Sequence, residues 1–201
     1  YIYANANATT LKMSGELNTG TVYQDLTASG ELLTGFNLIA NPYMHNIYKG
    51  DKKGGTAIFD KNNRISTGFY TLTNDGAWQP KTDKTDPIGP TEGILIKTKA
   101  AMTLSINQTT SNGATRSSSK SSFIKIKVEN AKYEDVAYVL FEDDVIGLDK
   151  INHRNPDIPM LYIREGNEIY AIAVKEKDVE EIPLTFEAKK MGEYTISVSA
   201  D

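Results

Sequence analysis

The 201-residue chain contains no cysteine, which excludes disulfides and thiolate metal sites at once. Histidine is nearly absent too: His45 and His153 lie far apart, and neither has a second histidine nearby. A zinc centre needs three or four converging ligands, so these two do not announce one. No apolar run approaches the ~20 residues of a membrane-spanning helix, and no transmembrane segment is expected. Net charge is −4, too slight to argue for nucleic acid or an anionic membrane as partner. Serine is plentiful, but no Gly-x-Ser-x-Gly elbow is present to expose a nucleophile. Tryptophan occurs once, as Trp78.

What is present favours strands. Threonine, tyrosine, isoleucine and valine are frequent within a hydrophobic content of 39%, and β-branched and aromatic side chains suit a pleated, half-buried surface. In Gly35–Tyr43, Phe36, Leu38 and Ala40 alternate with Asn37, Ile39 and Asn41, the period of a strand with two distinct faces. Pro42 then removes a backbone donor and pushes Asn41 out of the helical region, so pairing ends there. Shorter strand candidates surround Ile2, Leu11–Leu17 and Val22–Leu26. Met44–Gly55 reads as a polar loop with a small basic cluster, Lys49, Lys52 and Lys53. Thr56–Asp60 reads as a strand and Lys61–Arg64 as its turn. Gly68–Thr73 and Ala77–Gln79 flank Asn74-Asp75-Gly76, a strong turn signal. Pro80–Pro90, with three prolines, reads as a surface loop, and Gly93–Thr98 with Met102–Ile106 as a closing hairpin.

A Ser/Thr-rich stretch from Thr109 to Ser122 has no apolar period and reads as a flexible linker. Charge shifts across it. Residues 1–116 carry 11 basic and 9 acidic side chains, whereas 117–201 carry 11 and 17, so the two halves differ in character. The expectation is all-β, with two antiparallel β-sandwich-like domains over 1–114 and 121–201 and a linker at 115–120. In the second half Ile124, Ile126 and Val128 alternate with Lys125, Lys127 and Glu129. Val136–Phe141 is apolar enough for a central strand. Leu161–Arg164 and Ile169–Val174 flank the turn Glu165-Gly166-Asn167. Leu184 and Phe186 share a face, and Tyr194, Ile196 and Val198 are expected to face the core, opposite Thr195, Ser197 and Ser199. Pro183 cuts short any helical turn at Lys175–Glu181. Strands at this spacing, with no amphipathic helix, argue for a sandwich.

Two groups of side chains could carry chemistry. Trp78, Tyr70 and Tyr43, with Phe69, could form an aromatic platform for sugar rings, against the commoner role of filling a core. Glu142, Asp143, Asp144, Asp149, Asn152 and Asp157 form the densest acidic cluster. Hard oxygen ligands on a loop suit calcium, with Asp143, Asp144 and Asp149 as the candidate ligands of a structural ion. EF-hand spacing is absent, and a solvated charge run is the ordinary reading. No other cofactor is implied. Nothing places two carboxylates across a cleft as glycoside hydrolysis requires.

The stretch GFNLIANPY resembles the GWNLIGNPY signature of a β-rich module in large secreted and cell-surface proteins of Bacteroidetes-type bacteria. Leu11–Gly20 resembles a preceding strand and turn of that module, and Ile88–Lys97 its I-x-P-x-x-G-F-x-V-K segment. Gly147-Leu148-Asp149, Pro159–Tyr162, Ile182-Pro183-Leu184 and Gly192–Thr195 fall in the order of a β-sandwich that often follows it. Phe36 stands where that family has Trp, Ala40 where it has Gly, and Ile94 where it has an aromatic. The resemblance implies a fragment of a longer exported protein, extracellular or at the cell surface, whose last sandwich continues past Asp201. The function it implies is a non-catalytic structural or adhesive module rather than an enzyme. Its partners would be other domains of the same chain, glycans, or host and cell-surface proteins. The alternative is a carbohydrate-binding module attached to a glycan-degrading enzyme, with Trp78 and the nearby tyrosines as platform.

Overall fold

The computed structural model describes residues 10, 12, 14–30, 33–49, 64–82, 86–108 and 122–200. Within them the chain is all-β, and no helix is long and apolar enough to cross a membrane, which says nothing of a β-barrel. The first half contributes β1 (Val22–Leu26), β2 (Phe36–Ala40), β3 (Phe69–Leu72), β4 (Trp78–Lys81), β5 (Gly93–Lys97) and β6 (Met102–Ile106). The second contributes β7 (Phe123–Glu129), β8 (Glu134–Leu140), β9 (Leu148–Asp149), β10 (Met160–Glu165), β11 (Glu168–Val174), β12 (Leu184–Glu187) and β13 (Thr195–Ala200). β1 and β6 form a two-stranded ribbon, β2-β5-β3-β4 a four-stranded sheet, and β12-β10-β11-β8-β7-β13 a larger sheet, with β9 added beside β11.

Alternation along the strands builds three cores. Phe69 of β3 and Ile94 and Ile96 of β5 point to a first core closed by Leu26, Leu104 and Ile106 of the ribbon. Their neighbours Tyr70 and Leu95 point the other way, into a second core completed by Val136, Tyr138 and Leu140 of β8 and Ile172 of β11. Ala137 and Val139, the alternate residues of β8, face a third core with Ile126, Val128, Leu161 and Ile163. β5 and β8 are thus apolar on both faces because both faces are covered. The middle core belongs to both halves of the chain. The expected linker, 115–120, lies outside the described residues, as do Ile2, Thr56–Asp60 and Lys61-Asn62-Asn63.

Several strands differ from the sequence expectation. β5 and β6 do not form a hairpin: β5 pairs with β2 and β3, and β6 crosses to β1. Pro80 and Lys81 belong to β4 rather than to a loop, which an edge strand tolerates because the missing donor can face outward. Ile88 is fully buried and bridges Ile47, so the segments around both are less loop-like than their polarity implies. The residues 14–17 form no strand, and Leu17 is exposed. Most pairings are antiparallel, but β8 and β11 run parallel. On β13, Ile196 and Val198 are 49% and 66% exposed rather than buried, because nothing among the described residues covers that end of the sheet.

The stop after β2 is a knot of side-chain amides. Asn41 is buried, and its Nδ2 donates to the carbonyls of His45 (2.8 Å), Ile88 (3.0 Å) and Gly89 (3.0 Å). Its Oδ1 accepts from the Tyr43 amide at 2.9 Å. The Tyr43 hydroxyl then lies 2.8 Å from the Gly20 carbonyl and 2.7 Å from that of Ile106, tying the turn to the ribbon. Asn37 clamps both backbone groups of Thr27 from β2. Pro42 ends the strand, and these amides satisfy the backbone groups the turn leaves open. Asn41→Ala strands the Tyr43 amide and the His45 carbonyl in a buried turn, while the Ile88 and Gly89 carbonyls keep the amides of Ile47 and Glu92; each unsatisfied group costs ~1–3 kcal/mol. The expected loss in urea denaturation is about 3 kcal/mol, clearly more than for Tyr43→Phe; an unshifted midpoint would show the knot to be dispensable.

Candidate functional site

The three aromatics nominated as a platform are interior. Trp78 is 9% exposed and meets Tyr70 edge-to-face, with ring centroids 6.5 Å apart. Tyr70 and Phe69 are fully buried, on opposite faces of β3. The Tyr70 hydroxyl donates to the Asp149 carbonyl at 2.7 Å, and burial pushes its pKa well above the usual phenol value. Tyr43 is buried in the first core and stacks on His45 at 5.5 Å. None offers an open ring face to a sugar, because a second sheet, or the β1–β6 ribbon, lies over the surface each occupies.

The nominated calcium ligands are likewise separated. Asp143 and Asp144 are exposed on the turn after β8, where Asp144 takes φ of 57°. Asp149 instead forms an ion pair with Lys97 of β5, joining the two halves of the chain. Lys97 also sits 5.7 Å from the centroid of Phe36. Among the described residues no three His, Asp or Glu side chains converge as a metal would require.

The structure assembles a different group, which sequence reasoning missed. Asp135, Lys150 and His153 meet in the interior, each 2% exposed or less by side chain. Lys150 Nζ donates to Asp135 Oδ2 at 2.5 Å, and the Leu161 amide donates to the same oxygen at 2.7 Å. His153 Nδ1 accepts the Trp78 backbone N–H at 3.0 Å, so the ring of the second half caps a strand of the first. That leaves the other ring nitrogen to carry the proton, and Nε2 lies 3.3 Å from Asp135 Oδ1, a loose contact short of an aligned hydrogen bond. Burial alone would raise the Asp135 carboxyl, but the Lys150 ammonium and His153 beside it hold it below the ordinary range. Burial lowers Lys150, and Asp135 offsets part of that effect. The available signal was Asp135 itself, a carboxylate directly before the apolar run Val136–Leu140 of β8.

An acid, a histidine and a lysine in contact have the parts of a proton-transfer site. Acid–base catalysis, however, requires one of them to reach a reacting group. Here Nδ1 of His153 is taken by the Trp78 amide, Nε2 faces Asp135, and all three side chains are enclosed. The arrangement fixes the Asp135 carboxylate, the β10 entry at Leu161 and the β4 backbone relative to one another. No family model, no curated protein and no solved structure matches the chain.

Breaking a buried ion pair from one side costs about 3–5 kcal/mol, whereas replacing both partners by apolar residues is often near neutral. Asp135→Asn and Lys150→Met are therefore each expected to destabilise by that order, and the double variant by much less than their sum. Additive losses in urea melts would show that the two groups do not act as a pair. The pH dependence follows from the depressed carboxyl: its stabilisation is complete above the ordinary value of 3.8 and is lost as pH falls through the lower folded value. Asp135→Asn should flatten that part of the acid-unfolding curve.

Proposed function

We propose that the chain is a non-catalytic structural or adhesive module of a larger exported bacterial cell-surface protein. The observation that carries this reading is the middle core. Phe36, Tyr70, Leu72, Trp78 and Leu95 of the first half pack against Val136, Tyr138, Leu140, Leu148 and Ile172 of the second. Polar links reinforce the seam: Thr67 N–H to the Ile146 carbonyl at 2.7 Å, Arg154 N–H to the Gly76 carbonyl at 2.9 Å, and the Lys97–Asp149 pair. Two β units welded in this way behave as one stiff spacer without disulfides, which suits a part that holds neighbouring domains apart at a cell surface. The resemblance of Gly35–Tyr43 to the GWNLIGNPY module supports the same location and role. A carbohydrate-binding role on Trp78, Tyr70 and Tyr43 finds no support in their buried positions.

Stiffness makes the reading testable. Pulled from its two ends in an optical trap, the chain should open in one event that releases both halves; two events at well-separated forces would overturn the spacer. Gly68 supplies a control. It sits at φ 72°, and a Cβ there would run into Cδ1 of Ile172 across the seam and the carbonyl of Lys81. Gly68→Ala combines a positive-φ penalty with a clash, together about 2 kcal/mol or more. It should split the single calorimetric transition into two. Specific retention of the intact protein on a glycan array would favour a lectin instead.

A further inference from the structure

Among the described residues, the pair of Asp135 on β8 and Lys150 just after β9 is unlike the other lysine–carboxylate pairs. Lys97–Asp149, Lys127–Glu129, Lys175–Glu165 and Lys190–Asp157 keep 19% or more of each side chain exposed. Lys150 and Asp135 keep 0% and 1%. In water an amine and a carboxylic acid stand as hydrated ions and do not condense. A dry interior favours their neutral forms, and fixed proximity replaces a chance encounter. Nζ lies 2.5 Å from Oδ2, a short tilt from the carboxyl carbon, and atoms held at roughly 3–3.5 Å are placed to react. The ion pair also leaves a defect. Asp135 Oδ1 and His153 Nε2 face each other at 3.3 Å with neither in a hydrogen bond, and buried polar groups left so are costly.

We propose that Lys150 and Asp135 condense into an intramolecular amide, with the Nε2–H of His153 stabilising the oxygen that stays. Lys150 Nζ first passes one proton to Oδ2, giving a neutral amine and a neutral acid. The amine attacks the carboxyl carbon, and the new C–N bond throws negative charge onto Oδ1, which faces Nε2–H. A second proton moves from Nζ to Oδ2, the C–Oδ2 bond breaks, and one water departs from beside the Leu161 amide. Nothing is oxidised or reduced, one hydrogen remains on the new amide nitrogen, and His153 is unchanged. The product carbonyl keeps Oδ1 as the acceptor that Nε2–H lacked. Burial lowers the Lys150 ammonium, which eases the first proton transfer. For Asp135, burial favours the acid and is opposed mainly by the Lys150 charge, which is gone once that proton has moved. The ion pair, with the acid dependence derived from it, belongs to the chain before closure. The link would fasten β8 to the segment after β9 in a chain that has no cysteine to do so.

The test is the mass of the intact chain after folding. The closed chain should be lighter than its sequence by one water, and digestion should give one branched peptide joining the segments that carry Asp135 and Lys150. Lys150→Arg keeps a cation in place without a nucleophilic amine and should show the full mass. His153→Asn can still accept the Trp78 N–H but has no donor at the Nε2 position. Losing such a donor slows a reaction by about a hundredfold or more, so this variant should remain mostly open when wild type is fully closed. Imide closure at Asp75-Gly76 would also lose a water, but hydroxylamine cleaves an imide and leaves the amide intact. Folded wild type at its full sequence mass overturns the proposal without recourse to any variant. So does a loss that hydroxylamine abolishes, a loss that persists in Lys150→Arg, or a His153→Asn chain that closes as fast as wild type.

Discussion

Everything else in this molecule depends on strands that are covered on both faces. In a two-layer sandwich each strand offers one side to the core and the other to water. β5 and β8 depart from this: Leu95 faces one core while Ile94 and Ile96 face another, and Val136, Tyr138 and Leu140 turn away from Ala137 and Val139. Each such strand takes apolar surface out of water twice, at ~25 cal/mol per Å². That doubling matters in a chain with no disulfide, because it lets one apolar layer serve two halves joined by a polar segment.

Polar groups inside this arrangement set position more than they add energy. The amide of Asn41 satisfies a turn that Pro42 forces, and Tyr43 carries the restraint on to the ribbon. Asp135, Lys150 and His153 do the same at the seam, where a carboxylate gathers an ammonium, an imidazole and the amide of Leu161. Buried polar groups with unmet partners are costly. Each set therefore selects one register and disfavours its neighbours.

Much of the strand pattern was legible in the sequence, since alternation at Ile124–Val128, the run at Val136–Phe141 and the turns at Asn74-Asp75-Gly76 and Glu165-Gly166-Asn167 are local signals. Which strands pair is not local. Gly93–Lys97 and Met102–Ile106 look like a hairpin because they adjoin, yet they lie in different sheets. The same limit hid the fate of Trp78 and Tyr70: the sequence shows an aromatic pair beside a turn, and only the second half of the chain decides that both are covered. Asp149 looked like part of an acidic loop, but its partner Lys97 is 52 positions away. The exposure of Ile196 and Val198 was hidden for the converse reason, since alternation identifies an apolar face without saying whether anything lies over it.

The single tryptophan gives this architecture a private optical probe. Trp78 sits where the halves meet, its ring against Tyr70 and its amide on His153. Its emission reports the wetting of that one layer and is blind to loosening in the two outer cores. Parting of the halves would redden the spectrum while far-ultraviolet dichroism, dominated by the strands themselves, stayed almost unchanged. A mechanical joint that circular dichroism cannot see is thereby marked by the chain's own rarest residue.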